Sequence, residues 1–135
     1  DWMVLRYPNH DAFRHFRAAL NRAMLEQEAF WSREYDPAAF RWLDCDHGAW
    51  NVCAILRQGR QSSVLAVFNF GAEARADYTL DLPQGRLTLL LDTDWQRWGG
   101  TTPEPDDAPA LGTEGTLTVT LPPYSGRLYR LDPDV

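Results

Sequence analysis

The sequence predicts a mainly β domain: an antiparallel Greek-key β-sandwich of about seven strands, preceded by one amphipathic α-helix. Three observations predict it. Short runs of β-branched, aromatic and aliphatic residues recur from residue 40 onward, separated by breaks rich in Gly, Pro, Asn and Asp. Several of these runs alternate apolar and polar residues, as strands with one wet face do. A single stretch near the N-terminus carries its apolar residues at helical spacing instead.

The first eight residues begin at Asp1 rather than Met, which reads as a piece of something longer, and run into Tyr7-Pro8, expected to stop any regular element. Asp11 is then a candidate N-cap, and Phe13, Phe16, Leu20, Ala23 and Met24 share one stripe while Arg14, Arg17, Asn21 and Arg22 fall toward the other side. That spacing predicts a helix over about residues 11–27. Residues 29–39 form a connector turning at Asp36-Pro37. Residues 40–70 predict a three-stranded meander. Its first run has Phe40, Trp42 and Cys45 as apolar members among Arg41, Asp44 and Asp46; its second puts Val52, Ala54 and Leu56 on one face and Cys53 and Ile55 on the other. The third, 64–70, is almost entirely apolar and is expected as the central strand, covered on both faces. Three strands alone cannot bury so much surface, so the rest of the chain has to supply a second layer.

Residues 78–82 alternate until Pro83-Gln84-Gly85, and 86–92 add Leu87, Leu89, Leu90 and Leu91 as a core strand. Residues 93–115 hold Trp95, Trp98 and Gly99-Gly100, then an acidic, Pro-rich run through Glu104, Asp106, Asp107 and Glu114, and read as an exposed, mobile loop. Residues 116–121 alternate Thr with apolar residues, Pro122-Pro123 turn the chain, and 125–131 give a last strand with Leu128 and Leu131 inward.

Composition narrows the function classes. A chain of 135 residues is one domain with room for a core, since at about 150 residues roughly 68–70% of the unfolded surface is buried. Six Trp, six Phe and five Tyr argue against disorder. A net charge of -6 argues against nucleic acid or an anionic membrane as partner. All thirteen basic residues are Arg, which excludes lysine Schiff-base chemistry. Neither a signal-peptide pattern nor an apolar run of about 18 residues occurs, so a soluble, cytoplasmic protein is expected. Cys45 and Cys53 could pair if the turn register set them opposite one another, but a two-Cys chain without secretory features is expected to keep free thiols. His10, His15 and His47 are scattered, and no spacing points to a metal or cofactor.

Read together, these residues resemble the C-terminal end of bacterial 1,4-α-glucan (glycogen) branching enzymes of the α-amylase superfamily. The landmarks are Asp1-Trp2, Tyr7-Pro8, Leu20-Asn21-Arg22, Tyr35-Asp36-Pro37, Phe40 with Trp42, Asp44-Cys45-Asp46, Asn69-Phe70, and Asp92-Thr93-Asp94 leading to Trp98-Gly99-Gly100. The resemblance implies that residues 1–30 are a remnant of the last helix of a catalytic barrel with its linker, and residues 31–135 its C-terminal all-β domain. It implies glycogen biosynthesis: cleavage of an α-1,4 linkage and transfer to a 6-hydroxyl through a glycosyl-enzyme, using two carboxylates. Those carboxylates belong to barrel segments upstream, so no catalytic residue is carried over to this chain. Its implied partner is the barrel of the same polypeptide, with α-glucan as a further one. The loop over 101–115 departs from the family in being richer in acid and Pro.

Trp95, Trp98 and Trp50 are the candidate glucan contacts, because indole faces stack on pyranose rings; the alternative has Trp95 and Trp98 anchoring the long loop. Asp44 and Asp46 share a strand face about 7 Å apart, near the separation of glycosidase acids, but read as a solvated strand end before His47-Gly48. His47, His10 and His15 show no partner at a recognisable spacing, and Ser62 and Ser63 lack a nucleophile elbow. Two other function classes stay open at this point: a free-standing carbohydrate-binding module and an interaction domain with no glycan role.

Overall fold

The computed structural model describes residues 1–106 and 110–134. A 3-10 turn at Trp2–Arg6 leads into helix α1, Pro8–Glu26, and two further 3-10 turns, Glu28–Phe30 and Pro37–Ala39, lead into the strands. These are β1 Phe40–Asp44, β2 Val52–Gln58, β3 Ser63–Asn69, β4 Arg75–Asp81, β5 Gly85–Asp92, β6 Ala110–Thr113, β7 Thr116–Leu121 and β8 Ser125–Pro133. Six form one sheet in the order β1-β2-β3-β8-β5-β6, and β4 and β7 form the other. Every strand pairing is antiparallel. The chain leaves the large sheet for β4 and again for β7, returning each time, which is the sandwich topology expected.

Helix α1 starts earlier than its spacing predicts. Pro8 does not stop the chain but occupies the first helical turn, where its missing N–H is not needed and its fixed φ suits the helix. The extended Tyr7 (φ -88°, ψ 128°) is the N-cap, as a residue before Pro prefers. Asp11 instead sits in the first turn and pairs with Arg14 at 2.9 Å. Of the predicted stripe, Phe16, Leu20 and Ala23 pack onto the sheet together with Ala19, whereas Phe13 and Met24 stay exposed.

Strand β3 lies between β2 and β8 and is buried on both faces. Alternation sends Leu65 and Val67 to the inner face, where they meet Val52, Ala54 and Leu56 of β2 and Tyr78, Leu80, Leu117 and Leu121 of the small sheet. Val64 and Ala66 point the other way, toward α1, Ala29 and Trp95. The second layer required by the meander is thus the β4–β7 pair, and α1 forms a third, incomplete layer.

Three expectations are corrected here. Phe40 and Trp42 are not core members: Trp42 pairs with Ile55 on the outer face and is 59% exposed, while Leu43 turns inward. Leu128 buries on the helix side, and Tyr129 with Leu131 faces inward, because neighbours of opposite parity cannot share a face. The stretch 93–115 is not one loop: β6 pairs with β5, and residues 92–102 form a hydrogen-bonded turn. Asp107 lies outside the described residues. In β5 a register shift between Leu89 and Leu91 moves Leu91 to the outer face while Leu87 stays inward, so one leucine run feeds both cores.

Buried Asn69 pins three segments together. Its Nδ2 donates to the carbonyls of Glu73 at 2.8 Å, Pro122 at 3.0 Å and Leu121 at 3.3 Å, and its Oδ1 accepts from Gly71 N–H at 2.9 Å.

Candidate functional site

The segment after β5 is a turn built on its own carboxylates. Asp92, 1% exposed, accepts from Arg127 Nε at 2.9 Å and from Asp94 N–H at 2.8 Å. Asp94 accepts the hydroxyls of Thr101 at 2.8 Å and Thr102 at 2.6 Å. Burial alone would raise the Asp94 carboxyl, but these hydroxyls and the neighbouring N–H groups hold it below its ordinary value. Gly99 takes the left-handed conformation (φ 94°) after the short turn Gln96–Trp98. Gly100 lies so close to the Asp94 carbonyl that a Cβ there would stand 2.0 Å from its oxygen. The Asp-Thr-Asp to Gly-Gly landmark is therefore one tight structural unit.

This unit carries the two foremost candidate residues, and it aims them at the helix. Trp95 is 6% exposed and belongs to the outer core. Trp98 is partly buried, edge-on to Phe16 of α1 at 5.8 Å, with the Arg97 guanidinium 4.9 Å above its ring. Both rings lie against the outer core that α1 helps to cover, Trp98 in contact with α1 itself. Their Nε1 atoms are buried and have no hydrogen-bond acceptor among the described residues. Both indoles line a cavity of about 360 Å³ between α1, β5 and residues 95–106.

Trp50 sits at the opposite end of the molecule's logic, in the β1–β2 connection. It is 39% exposed, stacked against His47 at 5.6 Å, with Arg75 5.2 Å from its ring centre. Asp44 does not behave as a solvated strand end: Tyr78 donates its hydroxyl to Oδ2 at 2.5 Å, and His47 Nδ1 contacts the same oxygen. Burial pushes the Asp44 carboxyl up, yet the bonds from Tyr78 and His47 outweigh it and keep the carboxyl low. Burial and the Asp44 carboxylate push the Tyr78 phenol up. The structure thus gives His47 a carboxylate three residues away, and gives His15 one in Asp11. Asp46 makes no such pair with Asp44; its N–H donates to Asp44 Oδ1 at 3.3 Å. Cys45 and Cys53 are free thiols held above their ordinary value by burial first and by nearby carboxylates, the wrong direction for a nucleophile.

One anchoring residue had no sequence signal at all. The Glu28 carboxylate accepts three consecutive backbone N–H groups of the β2–β3 hairpin, Arg60, Gln61 and Ser62, each at 3.0 Å. Burial works against ionisation there, but the hydrogen bonds from Ser32 and the hairpin bring the carboxyl down to about 2. It joins the segment after α1 to a turn more than thirty residues away, a contact that only folding creates. The exposed apolar residues also escape sequence reading: Trp2, Tyr7, Phe13, Leu25, Trp31 and Trp42 are all in water.

Among the described residues no group of three His, Cys, Asp or Glu could hold a metal ion, and no helix is long and apolar enough to cross a membrane. A model of the alpha amylase C-terminal all-beta domain matches residues 42–132. The chain is 35% identical over 133 residues to the 1,4-alpha-glucan branching enzyme GlgB of Aromatoleum aromaticum, an alignment covering 93% of this chain and 21% of that protein. To the enzyme of the same name from Thermobifida fusca it is 34% identical over 131 residues, covering 90% of this chain and 18% of that one. The trehalulose synthase MutB from Pseudomonas mesoacidophila is a more distant likeness, with a TM-score of 0.44 and 22% identity over 77% of this chain and 17% of its own. The chain spans about a fifth of the length of the curated relatives it matches. With a single family covering both the strands of the sandwich and the turn between them, the chain belongs to the alpha-amylase C-terminal all-beta domain family.

Proposed function

We propose that this chain is the C-terminal β domain of a 1,4-α-glucan branching enzyme acting in cytoplasmic glycogen biosynthesis. Residues 1–30 are then the last barrel helix with its linker, and residues 31–135 the β domain that stabilises the catalytic barrel of the same polypeptide. The chain does not catalyse alone; the reactive carboxylates stand on the barrel. One observation carries this reading: the sandwich buries most of its inner face, Leu56, Leu65, Val67, Leu87 and Leu121 fully, while α1 and the outer face leave large apolar side chains bare, Phe13 at 61% and Leu25 at 78% among them. Bare apolar area of this kind marks a surface built to be covered. The similarity to branching enzymes runs through α1 as well as the strands, which supports treating the helix as part of the same unit.

The test joins two measurements. The purified chain should leave the iodine colour of amylose unchanged, and it should co-purify with a separately expressed barrel segment of a branching enzyme. Branching by the chain alone, or failure of the two pieces to associate, would overturn the assignment.

A further inference from the structure

We propose that Cys45 and Cys53 are a redox modification site, joined on oxidation by a cross-strand disulfide that ties the edge strand β1 to β2. The register brings them together. Trp42 pairs with Ile55 and Asp44 with Ala54, and Leu43 is bulged between the two pairs. An unbroken ladder would set Cys45 opposite Val52. The one-residue bulge sets it, at the next antiparallel step, opposite Cys53 instead. Opposed residues share a face, and Asp44 faces inward with Ala54, where it accepts the Tyr78 hydroxyl. Alternation then turns both cysteines to the outer face, where Cys53 also stands opposite Phe68. Opposed antiparallel residues have Cα atoms about 4.5 or 5.5 Å apart, and disulfides span about 4.4–6.8 Å, so the backbone admits the bond as it stands. The connection between the two cysteines is already closed by its own backbone: Trp50 N–H donates to the His47 carbonyl at 3.0 Å, and Phe70 N–H to that of Asn51 at 2.8 Å.

The oxidant is a small-molecule disulfide of the glutathione class. Cys45 is exposed and Cys53 half-buried, so the oxidant meets Cys45 first. The Cys45 thiolate attacks one sulfur of the oxidant, the oxidant's S–S bond breaks, and one small thiol leaves, taking up the proton that Cys45 gave up. The Cys53 thiolate then attacks the Cys45 sulfur of the mixed disulfide and expels the second small thiol, which takes up the Cys53 proton. Two protein thiols are oxidised to one disulfide, and one small disulfide is reduced to two thiols. Burial first, then Asp46 and Asp44, hold the Cys45 thiol above its ordinary value; burial first, then Asp44 and Cys45 itself, do the same for Cys53. The exchange is therefore slow at neutral pH and quickens as the thiolate fraction rises.

The full chain is equilibrated with reduced and oxidised glutathione at about pH 8, in buffer and in urea, quenched with acid and digested with trypsin without reduction. No Arg lies between Trp42 and Arg57, so both cysteines fall in one peptide. The bridge lowers its mass by about two units, the two hydrogens lost. In the folded chain the bridged peptide should be the main product, with an equilibrium constant at least about tenfold above that in urea, because folding holds the thiols together. Its rate of formation should rise about tenfold per pH unit from about pH 7 to about 8.5. Cys53→Ser should stop at a mixed disulfide on Cys45, and Cys45→Ser should stay largely reduced. The proposal is overturned if glutathione remains on Cys45 of the folded chain at equilibrium, if the bridge joins two chains instead of two strands, or if the folded and urea constants are equal.

Discussion

The two faces of β3 differ in how they are covered. Its inner residues, Leu65 and Val67, are enclosed by a second sheet whose Tyr78, Leu80, Leu117 and Leu121 interlock with β2 and β8. Its outer residues, Val64 and Ala66, are covered by a helix of which no residue is fully buried, by Ala29 and by the Trp95 turn. The inner face is finished by this chain; the outer face is finished only in part. The thinner outer core is the side on which the proposed enzyme's barrel would add cover.

Stability measurements can break that contrast. Leu65→Ala removes a fully buried side chain from the inner core, and should cost about 3–4 kcal/mol in denaturant unfolding. Leu20→Ala, on the half-covered helix, should cost about 1–2 kcal/mol, because part of that surface is wet already. Equal losses at the two positions would mean the outer layer is as complete as the inner. Asn69→Ala comes next, at about 2–3 kcal/mol: it removes the acceptor of the Gly71 N–H and the Nδ2 donor to the Glu73, Leu121 and Pro122 carbonyls where three segments meet, and the Pro122 carbonyl keeps a second donor, the Ser125 hydroxyl at 2.7 Å.

The inner core was legible in the sequence because strand alternation is local: Val52, Ala54 and Leu56 announce their face without reference to anything distant. The outer layer was less so. The same leucine run in β5 changes face at a register shift that no pattern marks, and the stripe on α1 names Phe13 and Met24, which cover nothing here. The site residues divided the same way. Trp95 and Trp98 stand out as large aromatics beside Gly99-Gly100, but composition does not say whether an indole faces water or a helix. Glu28 and the Asp44–Tyr78 bond depend on partners more than thirty residues away, which only the folded topology supplies.

Glu28 sharpens the comparison, since it fastens the thin outer layer to the finished sheet. Glu28→Gln should destabilise the chain by about 1–2 kcal/mol at neutral pH, by replacing charge-assisted bonds with neutral ones. Its folded-state value of about 2 lies below the ordinary 4.5, so its contribution is complete above pH 4.5 and is lost as pH falls toward 2. The difference between the two proteins should accordingly be flat from neutral pH to about 5 and shrink below it. A difference that persists unchanged into strong acid would mean that the carboxylate's charge does not hold the hairpin.

The smallest expected effect discriminates most. Trp42 stands on the outer face of the edge strand β1, 59% exposed, with Phe40 edge-on at 5.3 Å as its ring neighbour. In the isolated chain Trp42→Ser should change stability by no more than about 0.5 kcal/mol, as substitutions on open surface do. If the barrel of the proposed enzyme covers the outer face at β1, the same substitution in the joined protein should lower the midpoint of thermal unfolding, because the bare indole would then be buried area. The inner face predicts the opposite relation: Leu65→Ala should cost the same in both contexts, its surroundings being supplied by this chain throughout. If Trp42→Ser were silent in both settings, the outer face at β1 would be ordinary surface, and the covering would have to be sought along α1 instead.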